Sequence, residues 1–161
     1  MKIINSRGDM CDEIDQTLYS RRVIKASDTH IDFFSGCLGQ FDRKGEQVLT
    51  WADTNIQTSS VLTHGEYVVR GIKFTEWKSD KKLREHLMGY GYFIFRVVDK
   101  DYLIYPIHLM SNYFFFLEKK LEIPIIIEAY YNFSVILNLE KEYGKECTLT
   151  CELLGKMRRV A

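Results

Sequence analysis

The sequence predicts an all-β protein: an antiparallel β-sandwich of jelly-roll topology, with about eight strands and one or two short helices. Three observations carry that expectation. Two runs alternate apolar and polar residues: Tyr131, Phe133, Val135, Leu137 and Leu139, then Cys147, Leu149, Cys151 and Leu153. Strict period two specifies a strand with one face in the core. Short apolar runs bounded by turn residues recur elsewhere, and the regularly spaced crossover helices of a parallel sheet are missing. Finally, 10 Tyr, 10 Phe and 2 Trp among 161 residues suit half-buried pleated surfaces and protein interfaces.

Residues 1–21 read as a polar N-terminal arm ahead of a single jelly-roll domain, 22–161. In the arm Met10, Ile14 and Leu18 fall at four-residue spacing behind Asp9. That spacing admits one turn of amphipathic helix, or an arm that orders on assembly. Val23-Ile24 and Ile31-Asp32-Phe33-Phe34 are short strand candidates, and Gly39 to Gly45 is turn material. Tyr67 to Thr75 is β-rich, with Val68, Ile72 and Phe74 placed on one side of a pleat. Ser79 or Asp80 then caps a short helix that presents Leu83 and Leu87 on one face and stops at Gly89. Phe93, Phe95 and Val97 alternate up to a tight turn at Asp99-Lys100, and Tyr102 to Tyr105 completes a hairpin. Tyr113 to Leu121 fits either a helix or a strand. In the run from Tyr131 to Leu139 only Ile136 breaks the polar side. No repeat, low-complexity tract or linker divides the chain.

The 22 basic residues balance 22 acidic ones, so the basic excess of a free nucleic-acid binder is missing. Near-zero net charge also lowers self-repulsion between copies. Cys11, Cys37, Cys147 and Cys151 form no Cys-x-x-Cys pair, the first residues lack a signal-peptide apolar region, and no apolar run reaches membrane length. Buried thiols in a reducing cytoplasm are the expectation.

Several residues invite a chemical reading. His30-Ile31-Asp32 places two potential metal ligands on one strand edge, as jelly-roll iron(II) dioxygenases do; His86 would be the third ligand and Arg96 the holder of a cosubstrate carboxylate. Little of the chain precedes the motif, and His86 sits in a polar helical run, so the expectation is no metal, no cofactor and no catalysis. The cysteines could hold zinc, but Cys147 and Cys151 share the apolar side of an alternation, which fits core thiols better. His64-Gly65-Glu66 reads as a turn, and Ser59-Ser60 lacks a nucleophile elbow. Lys81-Lys82-x-Arg84 and Lys119-Lys120 read as solvated faces. Lys156, Arg158 and Arg159 at a strand end are candidates for weak contact with nucleic acid or for an interior-facing surface.

Asp53-Thr54-Asn55 through Leu62, followed by Gly65 to Phe74, resembles a segment of capsid proteins from tailless icosahedral bacteriophages of the internal-membrane type. There a Thr-Asn stretch leads through Leu into a strand of the form Phe/Tyr-x-Val-x-x-Ile-x-Phe. Asp99 to Leu103 with Pro106, Asn132 to Val135, and Leu153-Leu154-Gly155 with Arg159-Val160 extend the likeness to the C-terminus. The chain has length for one roll, whereas the double jelly-roll proteins of that group carry two. The resemblance implies a major, minor or penton subunit of a virion, made in the host cytoplasm. Its partners would be copies of itself and other capsid proteins, with weak contact to genome or internal membrane, and it would have no small-molecule substrate. It implies no catalytic residue. Trp51, Trp77, Tyr90, Tyr92, Tyr113, Phe114, Phe115 and Phe116 flank expected loops and are the inter-subunit contact candidates.

Overall fold

A computed structural model describes residues 1–41, 48–57, 65–76, 81–113 and 115–160. Its strands are β1 (Lys2–Ile4), β2 (Met10–Ile24), β3 (His30–Phe33), β4 (Glu66–Glu76), β5 (Gly91–Val97), β6 (Lys100–Pro106), β7 (Ser111–Asn112), β8 (Phe116–Ile127), β9 (Phe133–Leu139) and β10 (Cys147–Val160). A helix, α1 (Lys81–Tyr90), links β4 to β5, and a single 3-10 turn at Ile107–Leu109 follows β6.

The pairing has a simple logic. β5 pairs with β6, β4 with β8, β3 with β9 and β2 with β10, all antiparallel, as one long hairpin folded about the β5–β6 turn. The ribbon then rolls up, so that β10 also pairs with β4 and β9 with β5. Two sheets result, ordered β1-β2-β10-β4-β8-β7 and β3-β9-β5-β6. Nested pairs wound into two facing sheets are a jelly roll, the topology that the alternating runs pointed to.

The core lies between the sheets. Phe33, Phe74 and Phe93 bridge them, with ring centroids 5.9 and 5.6 Å apart, and Leu137, Leu153 and Ile72 are fully buried around them. Each such side chain contributes about 1.5–3 kcal/mol by leaving water. Tyr67 is also fully buried, and its hydroxyl donates to the Leu153 carbonyl at 2.7 Å. That bond offsets the cost of taking a polar oxygen into the core.

Several elements depart from the expectation. Residues 1–21 are not an arm outside the domain, nor a helix: they form β1 and most of β2, paired with β10 from Cys11 to Ile24. Met10 and Ile14 are exposed, and of the four-spaced trio Leu18 alone is buried. α1 does bury Leu83 and Leu87, but it runs past Gly89 to Tyr90, and its expected caps Ser79 and Asp80 fall outside the described residues. The stop is Gly91, where a Cβ would stand 2.7 Å from the Leu87 carbonyl oxygen. The hairpin turn lies one residue early, at Val98-Asp99, and the ambiguous stretch from Tyr113 to Leu121 is strand from Phe116 onward, in β8.

The two flanks of the sandwich differ. On the β2 side the sheet edge is covered, by β1 at one end and by the Thr50–Ile56 segment at the other. Asp53 anchors that segment: its carboxylate accepts from Thr50 N and from Arg21, whose own backbone N–H donates to the Asp53 carbonyl. Asn55 closes it by accepting from Tyr19 N and donating to the Thr17 carbonyl. On the other side β6 and β8 lie next to each other, with Lys119 Nζ 4.9 Å over the Tyr105 ring. Among the described residues no strand pairs with the outer edge of β6, and β7 covers β8 only at Leu117 and Glu118.

Candidate functional site: a cleft on the four-stranded sheet and an open flank

Alternation decides what the outer face of the four-stranded sheet carries. Ile31 and Phe33 of β3, Phe93, Phe95 and Val97 of β5, and Val135 and Leu137 of β9 point into the core. His30, Asp32, Arg96, Ser134, Ile136 and Asn138 therefore face outward. Asp32 stands opposite Ile136, and Ser134 opposite Arg96. With Phe34 to Gly36, Phe41, Val98 and Asn132 at the rim, five of these outward residues enclose a cleft of about 550 Å³, and Phe133 lines it from below. Asn138 stands just outside, its side-chain oxygen 3.0 Å from His30 Nδ1.

The rim is held in an uncommon backbone geometry. Phe34 has φ 67° and Val98 φ 59°, a left-handed conformation that bulky and β-branched residues rarely adopt. Each is fixed by its surroundings. Phe34 N donates to the buried Ser20 hydroxyl at 3.0 Å and its ring packs 5.3 Å from Phe133. Val98 N donates to the Asn132 carbonyl at 2.7 Å. Strain kept at two points of one cleft is characteristic of sites that need a set shape. Within it, Arg96 Nε donates to Asp101 at 2.6 Å. That pairing holds the Asp101 carboxyl below its ordinary range and raises the guanidinium, to which Asp32 adds a further favourable charge.

His30, Asp32 and Arg96 thus meet in one place, while His86 does not join them. His86 sits on α1 with Nε2 2.7 Å from the Lys141 carbonyl oxygen and its ring beside Tyr90 and Tyr143, at 4.8 and 5.1 Å. The three-ligand iron centre is not assembled, and no group of three His, Cys, Asp or Glu side chains fit to hold a metal occurs among the described residues. None of the four cysteines forms a disulfide, and burial pushes the Cys151 thiol well above its ordinary value. Ser59, Ser60 and His64 lie outside the described residues.

The basic strand end is largely spent. Arg158 donates to Glu13 Oε2 at 2.8 Å and to Glu66 Oε1 at 3.2 Å, and Lys156 lies 3.4 Å from Glu13 and 3.9 Å from Asp15. Glu66 further accepts from the backbone N and the hydroxyl of Ser6. Of the three basic candidates for nucleic acid, Arg159 alone is exposed. On α1, Arg84 contacts the Asn112 side chain at 3.4 Å, and Lys81 and Lys82 are exposed as solvated-face residues are.

The aromatic contact candidates are scattered. Trp51 is 60% exposed, on the segment that covers the β2 edge. Tyr90 ends α1, and Tyr92 is half-buried on β5 rather than in a loop. Tyr113 stacks on Phe116 at 4.6 Å at the β7–β8 tip beside exposed Phe115. Trp77 and Phe114 lie outside the described residues. Aliphatic residues of the open flank, Ile104 at 63% and Ile123 at 83% exposure, were missed because alternation and bulging hide which side of an edge strand faces water. In β8 the residues between Lys120 and Ile125 leave the register with β4, and Ile123 is carried out on that bulge. No helix among the described residues is long and apolar enough to cross a membrane. No protein-family model matches the chain, and no curated protein or solved structure matches it either.

Proposed function

We propose that this chain is a structural subunit of an icosahedral shell of the tailless-bacteriophage type, associating with further copies of itself through the flank formed by β6 and β8. The observation that carries this reading is the asymmetry of the two flanks. A bare sheet edge is an aggregation hazard that folded proteins cover. Here the β2 edge is covered by two separate devices, while among the described residues the β6–β8 edges are left largely open, on strands that expose Tyr102, Ile104 and Ile123. An edge left uncovered beside a covered one fits an edge with a partner. A second copy is the natural occupant, because a sandwich flank repeats around a symmetry axis and a balanced chain repels its copies weakly. Jelly rolls also serve as lectins and enzymes, so topology alone does not decide between these roles. The test is the mass of the purified chain in solution, together with electron microscopy of concentrated protein. Closed rings or shells are the expected result. A chain that stays monomeric at high concentration, with no particle, removes the proposal and leaves an interaction module in its place.

A further inference from the structure

We infer that the cleft on the outer face of the four-stranded sheet binds a neutral saccharide, a pyranose ring presenting adjacent hydroxyls. The cleft's volume of about 550 Å³ falls within the roughly 300–1,000 Å³ of small-molecule sites. Its polar groups are of mixed sense. Asp32 accepts only, Arg96 donates only, and Ser35, Ser134 and Asn132 do both. A ligand covered in hydroxyls, each donor and acceptor at once, satisfies such a set.

The charge pattern excludes the obvious competitors. Among the described lining residues Arg96 is the one cation with a permanent charge, and its Nε is held by Asp101. Asp32 adds a second negative charge beside it. Phosphates and carboxylates would meet the Asp32 carboxylate beside a guanidinium already paired with Asp101, which disfavours them. The apolar lining is equally telling: Phe41 stands at the rim at 60% exposure, near exposed Val98, above a floor of Ile136 and Phe133. An aromatic ring beside hydroxyl-matching groups suits the C–H face of a pyranose. The rim is also set in advance, since Phe34 and Val98 are fixed in left-handed geometry by Ser20 and Asn132. A pre-formed cleft spares the ligand the cost of ordering it. The inference stands apart from shell assembly, because a monomeric chain would keep the cleft.

The experiment is a titration of the full chain with methyl glucoside, methyl galactoside, methyl mannoside and N-acetylglucosamine, with glucuronate as the charged comparison, followed by backbone amide NMR. At least one neutral sugar should shift the amides of Ser35, Gly36, Val98 and Ser134 saturably, with Kd on the order of 1 mM. Glucuronate should bind at least about tenfold more weakly, because of the charge pattern just described. Asp32→Asn and Phe41→Ala should each weaken the neutral sugar about tenfold or more; Phe41 is exposed, so its variant keeps the fold. The inference is overturned if no neutral sugar moves those amides up to about 50 mM, if glucuronate binds as well as the glycosides, or if both variants bind like the parent.

Discussion

At the scale of single residues, charged side chains from β2, β4 and β10 pair across the six-stranded sheet. Glu13, Glu66 and Arg158 are far apart in the chain, yet their side chains meet and are 9%, 5% and 18% exposed. Nothing local announces this, because the partner of each lies on another strand and register alone brings them together. The same fact explains why β2 was misread: its apolar residues follow a helical spacing by accident, while Ser20 and Arg22 are buried by bonds to Phe34 and Ser35. Arg158→Leu would leave two carboxylates facing each other without the cation they share, with Lys156 beside Glu13 alone, and the expected loss is about 2–4 kcal/mol of folding stability at neutral pH. Arg158 leads in lowering the Glu13 pKa, with Lys156 helping; for Glu66, burial pushes the pKa up but Ser6 and Arg158 outweigh it. Both folded values are therefore depressed. Their stabilisation is complete above the unfolded value of about 4.3 and is lost as pH falls through the folded values. Urea titrations should accordingly show a gap between parent and variant at pH about 7 that narrows below pH about 4. A gap of constant size would remove the ionic explanation.

At the scale of elements, the strands that alternate strictly are the ones the sequence foretold. β9 and β10 lie inside their sheets, where one face is core and the other is not, so period two is imposed on every residue. The single break in the β9 pattern, Ile136, is itself informative: it faces outward but is only 5% exposed, as the floor of the cleft. A break in an alternation, beside the His30-Ile31-Asp32 motif and Arg96, was thus the trace of the candidate site in the sequence. Its other members, Phe41, Val98 and Asn132, come from three separate loops that only the roll brings together. The position of β9 gives a direct prediction. Phe133 is 3% exposed against Phe34, so Phe133→Asp places a charge in the core and should abolish soluble expression. Tyr131, two residues earlier and 42% exposed, should tolerate Asp with an unfolding midpoint near that of the parent. Equal behaviour of the two variants would mean that β9 does not have this register.

At the scale of the whole molecule, nested pairing means the chain spends its middle on the turn of the ribbon and its two ends on each other. β2 and β10 therefore close the fold, and the segment expected as a free arm belongs to the sheet. Association through the described residues then uses a surface of the sandwich rather than residues 1–21 as an arm. The open flank offers one, and it also sets how association should respond to conditions. The exposed hydrophobics there include Tyr102, Ile104 and Ile123; the exposed charges on the same strands, Lys100, Asp101, Lys120 and Glu122, balance in sign, and the chain carries zero net charge. Apolar contact survives salt, whereas paired charges are screened as the Debye length falls from about 10 Å at 0.1 M to about 3 Å at 1 M. The assembled fraction, measured by sedimentation velocity, should change little across that range. Ile104→Asp combined with Ile123→Asp puts two charges on the flank of each copy, and it should shift the population to monomer while the circular dichroism spectrum and the unfolding midpoint stay those of the parent. Particles that persist in the double variant, or that dissolve in the parent as salt rises, would place the contact on a different and more charged surface.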